Sequence, residues 1–339
     1  VSGIFSGSSE ATGRESDNSG IITTPSSIKP KEVLASSLLS KEQQQAFDLF
    51  KRGLNIFVSG PAGSGKSYLV KHMFENAERK IQITSTTGCS SILLAEVIGK
   101  NCVKTINSWS GVRLCKGPKE KIIESVLRNR YAVKEWKQTN ILVIDEVSML
   151  SMKLFDILDA IGRGAKKCNL PFGGIQLICL GDMFQLPPVP EADDAESGRF
   201  CFEAKQWFET FPIQNHIELK TIFRQNDDKF KEILNQIRVG NLSEDNNQIL
   251  NTYVGRSYAS ESGIVPIKIL PTRNQVNYVN TSEYDKVKSE EYVFKQSVCI
   301  TTSTEEEFYK YSRLTAKEKE VEVLILKSSV PTEEEVKLK

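Results

Sequence analysis

Residues 1–30 are crowded with Ser, Gly and Thr and poor in large apolar side chains. So little apolar surface cannot offset the entropy of ordering the chain, and a disordered tail is expected over residues 1–33. From Leu39 the pattern changes. Apolar positions at helical spacing predict a helix over residues 41–52, and the short apolar run 55–59 predicts a strand. A glycine-rich turn and a helix-like stretch over 67–78 follow. Further apolar runs at 81–84, 141–144 and 175–180 predict buried strands, separated by helical stretches such as 153–163. Strands alternating with helices predict an α/β fold, a parallel sheet with helices on both faces. No internal repeat of solenoid period is present to suggest otherwise.

At 339 residues the chain has room for two ordinary domains, because single cores stop growing near roughly 250 residues. Its hydrophobic fraction of 39% and charged fraction of 26% are those of globular proteins. With 44 Lys and Arg against 43 Asp and Glu, net charge +1, no global basic field marks nucleic-acid binding, so any such track must be local. One local candidate exists: residues 116–137 carry Lys116, Lys119, Lys121, Arg128, Arg130, Lys134 and Lys137 against only Glu120, Glu124 and Glu135.

Seven cysteines without a C-x-x-C pair, and only His72 and His216, argue against a zinc site and for a reducing compartment. No apolar run reaches the roughly 18 residues of a membrane span. The tail, with Arg14 beside Glu10, Glu15 and Asp17, is a poor match to a transit peptide. The chain opens on Val1 and stops at Lys339 inside an alternating, strand-like pattern (335–339), as expected of a fragment of something longer.

Gly60-Pro61-Ala62-Gly63-Ser64-Gly65-Lys66-Ser67 fits G-x-x-x-x-G-K-[ST] between a predicted strand and a predicted helix, the context this phosphate-binding motif requires. Glycines let backbone N–H groups turn around a β-phosphate, and the helix N-terminus adds partial positive charge. Lys66 reaches the β and γ oxygens, and Ser67 ligates Mg²⁺. The apolar run 141–144 ends in Asp145-Glu146, two carboxylates that are costly beside a sheet core unless they have a function. Asp145 is expected in the Mg²⁺ shell, with Glu146 polarising the water that attacks the γ-phosphate. These two motifs point to nucleotide hydrolysis and not to its purpose. A third segment, Gly181-Asp182-Met183-Phe184-Gln185-Leu186-Pro187-Pro188-Val189, follows another strand and offers Gln185 as a γ-phosphate sensor. Trp109 and Trp136 are candidates for base stacking, whereas Trp207 reads as packing.

Taken in order, Leu39-Ser40-Lys41-Glu42-Gln43, the phosphate loop, Thr84-Ser85-Thr86-Thr87-Gly88, Ile144 to Leu150, Pro171-Phe172-Gly173-Gly174, the Gly181 segment and Phe223-Arg224-Gln225 resemble superfamily 1B DNA helicases of the petite-integration-frequency (PIF) family. The resemblance runs from about residue 39 to residue 280. It implies that Gln43 reads adenine, that Arg224 reaches the γ-phosphate from a second motor domain, and that Thr84, Thr86, Thr87 and Gly88 lie along single-stranded DNA. It places a small wedge domain at about 111–138, where Lys119 and Arg130 suit phosphate contact, and a strand and helix over 266–280. Where the family carries Thr-Ile-His-Ser, this chain has Thr105-Ile106-Asn107-Ser108. Asn107 can still donate to DNA but lacks a histidine's charge.

The expectation is a P-loop, RecA-like domain over residues 34–215 with the basic insert, then an incomplete second RecA-like domain over 216–339. The resemblance implies ATP hydrolysis with Mg²⁺, driving 5′-to-3′ translocation on single-stranded DNA and unwinding at duplex junctions. A monomer acting in nucleus or mitochondrion is expected, with no membrane partner. The rival reading is a non-motor module that binds nucleotide or DNA. A small-molecule kinase would share the phosphate loop but has no use for the Gly181 segment or Arg224.

Overall fold

The computed structural model describes residues 39–99, 102–191, 194–256, 267–295, 312–313, 315–316, 319 and 335–338. The expected tail lies outside the described residues. In chain order the elements are α1 (Lys41–Lys51), β1 (Ile56–Ser59), α2 (Lys66–Glu75), β2 (Ile81–Ser85), α3 (Gly88–Ile98), β3 (Val103–Thr105), α4 (Ile106–Ser110), α5 (Lys119–Arg128), α6 (Arg130–Gln138), β4 (Ile141–Asp145), α7 (Met152–Lys166), β5 (Gln176–Gly181), α8 (Trp207–Thr210), β6 (His216–Glu218), α9 (Asp228–Arg238), α10 (Glu244–Asn251), α11 (Arg273–Lys286), β7 (Tyr292–Lys295) and β8 (Glu335–Leu338).

Among the described residues, β1 to β6 form one sheet in the order β3-β2-β4-β5-β1-β6, and every pairing in it is parallel. Its central strands are buried along their whole length, which explains why they read as unbroken apolar runs. Side chains of successive strand residues point to opposite faces, and two cores follow from that alternation. Leu142 and Ile144 of β4 and Leu177 and Cys179 of β5 face α7 and its neighbours. Ile141 and Val143, with Ile178 and Leu180, face α1, α2 and α3. The expected sheet with helices on both faces is what the chain builds.

The basic stretch 116–137 folds as α5 and α6, and not as an appendage. Val126, Ala132 and Trp136 enter the same core as α7, while Arg128 and Arg130 stay exposed. Trp136 is fully buried, its Nε1 donates to the Ser110 carbonyl at 3.1 Å, and its ring lies 4.6 Å from that of Trp109. Neither tryptophan is therefore available for base stacking, a correction to the sequence reading: at a helix junction, the large apolar rings are worth more in the core than in solvent. Trp207 is buried, as expected.

The Pro171-Phe172-Gly173-Gly174 turn is also a packing device. A Cβ on Gly173 would stand 2.3 Å from the Gly162 carbonyl oxygen of α7, and the Phe172 ring is fully buried. Of the strand and helix expected over 266–280, only the helix forms among the described residues, as α11. Residues 267–270 carry no strand, and Ile267 and Ile269 are 94% and 95% exposed, with no sheet face to pack on among the described residues. The alternating pattern near residue 335 does form a strand, β8, which pairs antiparallel with β7.

Candidate active site

The carboxyl ends of β1, β4, β5 and β6 meet at one edge of the sheet, the place where open parallel sheets bind ligands. The loop after β1 turns there because Gly63 and Gly65 adopt φ of +80° and +83°, a left-handed conformation that costs other residues. Space forbids side chains as well. A Cβ on Gly63 would lie 2.6 Å from Arg224 Cβ, and one on Gly65 would lie 2.4 Å from Gln43 Nε2.

Lys66, the first residue of α2, is 9% exposed. Its Nζ donates to the carbonyls of Gly60 (2.7 Å) and Pro61 (3.1 Å) of its own loop. Burial pulls its ammonium below the ordinary lysine range, opposed by Glu146, Asp145 and Asp182. Asp145 ends β4 at 4% exposure. Burial first, and the Glu146 charge second, push its carboxyl up to about 6. Among the described residues its Oδ1 is buried with no hydrogen-bond partner, as are Ser64 Oγ and Gln225 Oε1. Such atoms are rare unless a ligand or ion completes them. A hard oxygen donor on Asp145, with the Ser67 hydroxyl at the start of α2, is the donor set a Mg²⁺ ion takes beside phosphates.

Glu146 follows with φ +56° and ψ +44°, a strained backbone for a non-glycine residue, and strain of this kind gathers at functional sites. Asp182, at the end of β5, is 1% exposed and accepts from Gln185 Nε2 at 3.2 Å; Gln185 itself is exposed. The segment after β6 lies over the loop: Phe223 N donates to the Gly63 carbonyl at 2.8 Å, which places the exposed Arg224 at the glycine-rich turn. Gln43 is buried, its Oε1 accepting from Ser40 N at 2.9 Å and its Nε2 facing the Gly65 carbonyl at 3.3 Å.

The family model for PIF1-like helicases matches residues 38–248, more than half of the chain. The chain belongs to the PIF1-like helicase family. It is 36% identical over 262 residues to the ATP-dependent DNA helicase PIF1 of Saccharomyces cerevisiae, covering 76% of this chain and 29% of that protein. It is 32% identical over 294 residues to the ATP-dependent DNA helicase RRM3 of the same species, covering 81% and 39%. The crystal structure of the Pif1 helicase from Candida albicans superposes with a TM-score of 0.69 at 31% identity, covering 89% of this chain and 63% of that one. The chain thus spans about a third of the length of the two curated relatives.

Within the family frame, the residues expected along DNA divide. Thr84 is fully buried, its hydroxyl spent on the Val143 carbonyl at 2.7 Å, so it braces β2 against β4 and the expectation of a DNA contact is corrected. Thr86 and Thr87 are partly exposed and Gly88 exposed at the strand end. Thr87 caps α3 through Ser90 N. A Cβ on Gly88 would meet nothing within 4 Å. Asn107 donates to the Arg113 carbonyl at 2.7 Å. Lys119 is held by Asp156 (2.9 Å) and Glu196 (2.5 Å), whereas Arg130 is exposed. The sequence reading passed over Asp182, Gln225 and Arg238. The first two lay inside quoted motifs with no role given; Arg238 lies outside every motif.

Proposed function

We propose that the chain carries the nucleotide site of an ATP-driven DNA helicase, in which hydrolysis drives 5′-to-3′ movement on single-stranded DNA and opens duplex junctions during genome maintenance. The observation that carries the reading is convergence. Lys66, Asp145, Glu146 and Asp182 from the sheet edge, and Arg224 from the segment after β6, meet at one phosphate loop.

The backbone N–H groups of Gly60, Ala62, Gly63, Ser64 and Gly65 form the cradle for the phosphates, with Pro61, which has no N–H, shaping the turn. Lys66 exchanges two loop carbonyls for β and γ oxygens. Ser67 and Asp145 hold Mg²⁺, which supplies positive charge to the triphosphate. Glu146 polarises the attacking water, and Gln185 reports the γ-phosphate. Gln43 Oε1 has a second lone pair for the adenine amino group. Arg224 neutralises transition-state charge only while its segment is closed over the loop, and that requirement couples hydrolysis to motion. In this reading the first RecA-like lobe, expected over residues 34–215, extends through β6, because His216–Glu218 pairs with β1 in the same sheet, and the second lobe begins after it.

Thr86, Thr87 and Gly88 after the carboxyl end of β2, Asn107 after that of β3, and Arg130 on α6 are the DNA contacts we propose; the Thr86 hydroxyl donates to the Glu146 carbonyl at 2.9 Å, which links this track to the nucleotide site. Gly88 supports this, since nothing among the described residues requires a glycine there and a close-lying backbone would. The compartments that fit are nucleus and mitochondrion, and the unit we propose is a monomer.

The test is ATP hydrolysis by the full-length protein with and without single-stranded DNA, together with strand displacement from 5′-tailed and 3′-tailed duplexes. Several-fold stimulation, displacement from the 5′-tailed substrate and loss of turnover in Lys66→Ala are expected. Turnover indifferent to DNA would leave a nucleotide-binding module in place of a motor.

A further inference from the structure

Asp182 raises a problem that the catalytic assignments leave unsolved. Its carboxylate is 1% exposed and lies near enough to Lys66 to act on it, so it stands beside the phosphate cradle as a buried negative charge. An unpaired carboxylate there would be costly to bury and would repel a triphosphate. Yet burial, which alone would raise its acidity range, is outweighed by hydrogen bonds, first from Arg238, then from the Phe184 amide, and Asp182 is held below the ordinary carboxylate range.

Arg238 is the last residue of α9, the helix that follows the Arg224 segment. Its guanidinium forks onto the carboxylate: Nε lies 3.0 and 2.9 Å from Oδ1 and Oδ2, and Nη2 lies 2.8 Å from Oδ1. It also sits over the Phe184 ring at 4.4 Å. The same carboxylate accepts from Phe184 N (3.2 Å) and from Gln185 Nε2 (3.2 Å). One acid therefore holds both the sensor glutamine and the arginine of α9, and a two-pronged arginine fixes a carboxylate's plane as a lysine cannot.

We propose that Arg238 is a positioning residue for ATP hydrolysis, which neutralises Asp182, fixes its plane and thereby aims Gln185 at the γ-phosphate. Through it, the sensor after β5 is tied to the same stretch of chain that delivers Arg224. The proposal rests on the assignment of Gln185 as the sensor.

A double-mutant cycle on the full-length protein with single-stranded DNA tests it, with kcat and KM for ATP measured for wild type, Gln185→Ala, Arg238→Met and the double variant, and thermal melting as the check on folding. If Arg238 acts through Gln185, Arg238→Met lowers kcat about tenfold or more while KM stays within about threefold, and it adds nothing to Gln185→Ala. Arg238→Lys, which keeps the charge and loses the fork, falls between. A purely structural pair predicts a lower Tm with kcat unchanged, or losses that multiply with those of Gln185→Ala, and either result overturns the proposal. Should Arg238→Met not fold because it strands a buried charge, Asp182→Asn/Arg238→Gln removes both charges. Wild-type kcat in that pair overturns the proposal, and a loss that Gln185→Ala does not deepen upholds it. DNA-stimulated turnover in wild type that collapses in Gln185→Ala sustains the sensor assignment whatever Arg238 does, whereas full turnover in Gln185→Ala removes that assignment and the Arg238 proposal with it.

Discussion

Asp145 is where burial and chemistry conflict most sharply. Its carboxyl is raised from 3.8 to about 6 in the folded chain, so between those values the folded state binds a proton that the unfolded state does not. Its favourable contribution is complete below 3.8 and disappears as the pH rises through about 6; above that, holding the ionised acid in place costs about 3 kcal/mol. Asp145→Asn is therefore expected to stabilise the nucleotide-free protein at about pH 7.5, with the advantage shrinking towards about pH 5. Urea unfolding at the two pH values checks this, and a difference independent of pH would show that the acid is not strained by burial. For the active protein, kcat/KM for Mg·ATP should fall below about pH 6, because that ratio reports the free enzyme's ionisations. At this scale the phosphate loop and the Asp-Glu pair were legible in the sequence, since their chemistry depends on residue types at fixed spacing. Thr84 was not, because a threonine in a motif looks the same whether its hydroxyl faces DNA or the Val143 carbonyl.

Among the elements, α5 and α6 divide labour between packing and charge. Lys119 is partly buried between Asp156 and Glu196, so Lys119→Glu would set three carboxylates together. Arg130 is exposed and makes no ion pair among the described residues. Lys119→Glu is expected to destabilise by roughly 1–3 kcal/mol and Arg130→Glu by no more than about 0.5 kcal/mol. The exposed variant, in turn, should be the one that weakens DNA binding and flattens its salt dependence. Equal stabilities in chemical denaturation would mean that the Lys119 pairs contribute nothing. The central strands were readable because burial on both faces leaves a continuous apolar run, and α1, α2 and α7 from helical spacing, whereas α3 and α9 were not read and α11 was expected only from the resemblance. The edge strands β3 and β6 were not. At three residues each, they carry too little pattern to be told from a loop. Nor did periodicity reveal that the basic stretch belongs to the core, because that depends on what Trp136 meets across the fold.

For the whole molecule, the decisive arrangement is the return of the chain after β6 onto its own phosphate loop. Phe223 is hydrogen-bonded to Gly63, and Arg224 fills the space a larger residue at Gly63 would need. Order along the sequence suggested that these segments belong together, but only folding shows that they touch. An arginine so placed serves the γ-phosphate only if it acts in the transition state, which separates its effect on turnover from its effect on binding. The most direct measurement is therefore ATP turnover by full-length Arg224→Ala with single-stranded DNA, alongside binding of a non-hydrolysable ATP analogue. The account predicts that kcat falls by about 10³-fold while analogue affinity stays within about tenfold. Wild-type kcat in Arg224→Ala would contradict it.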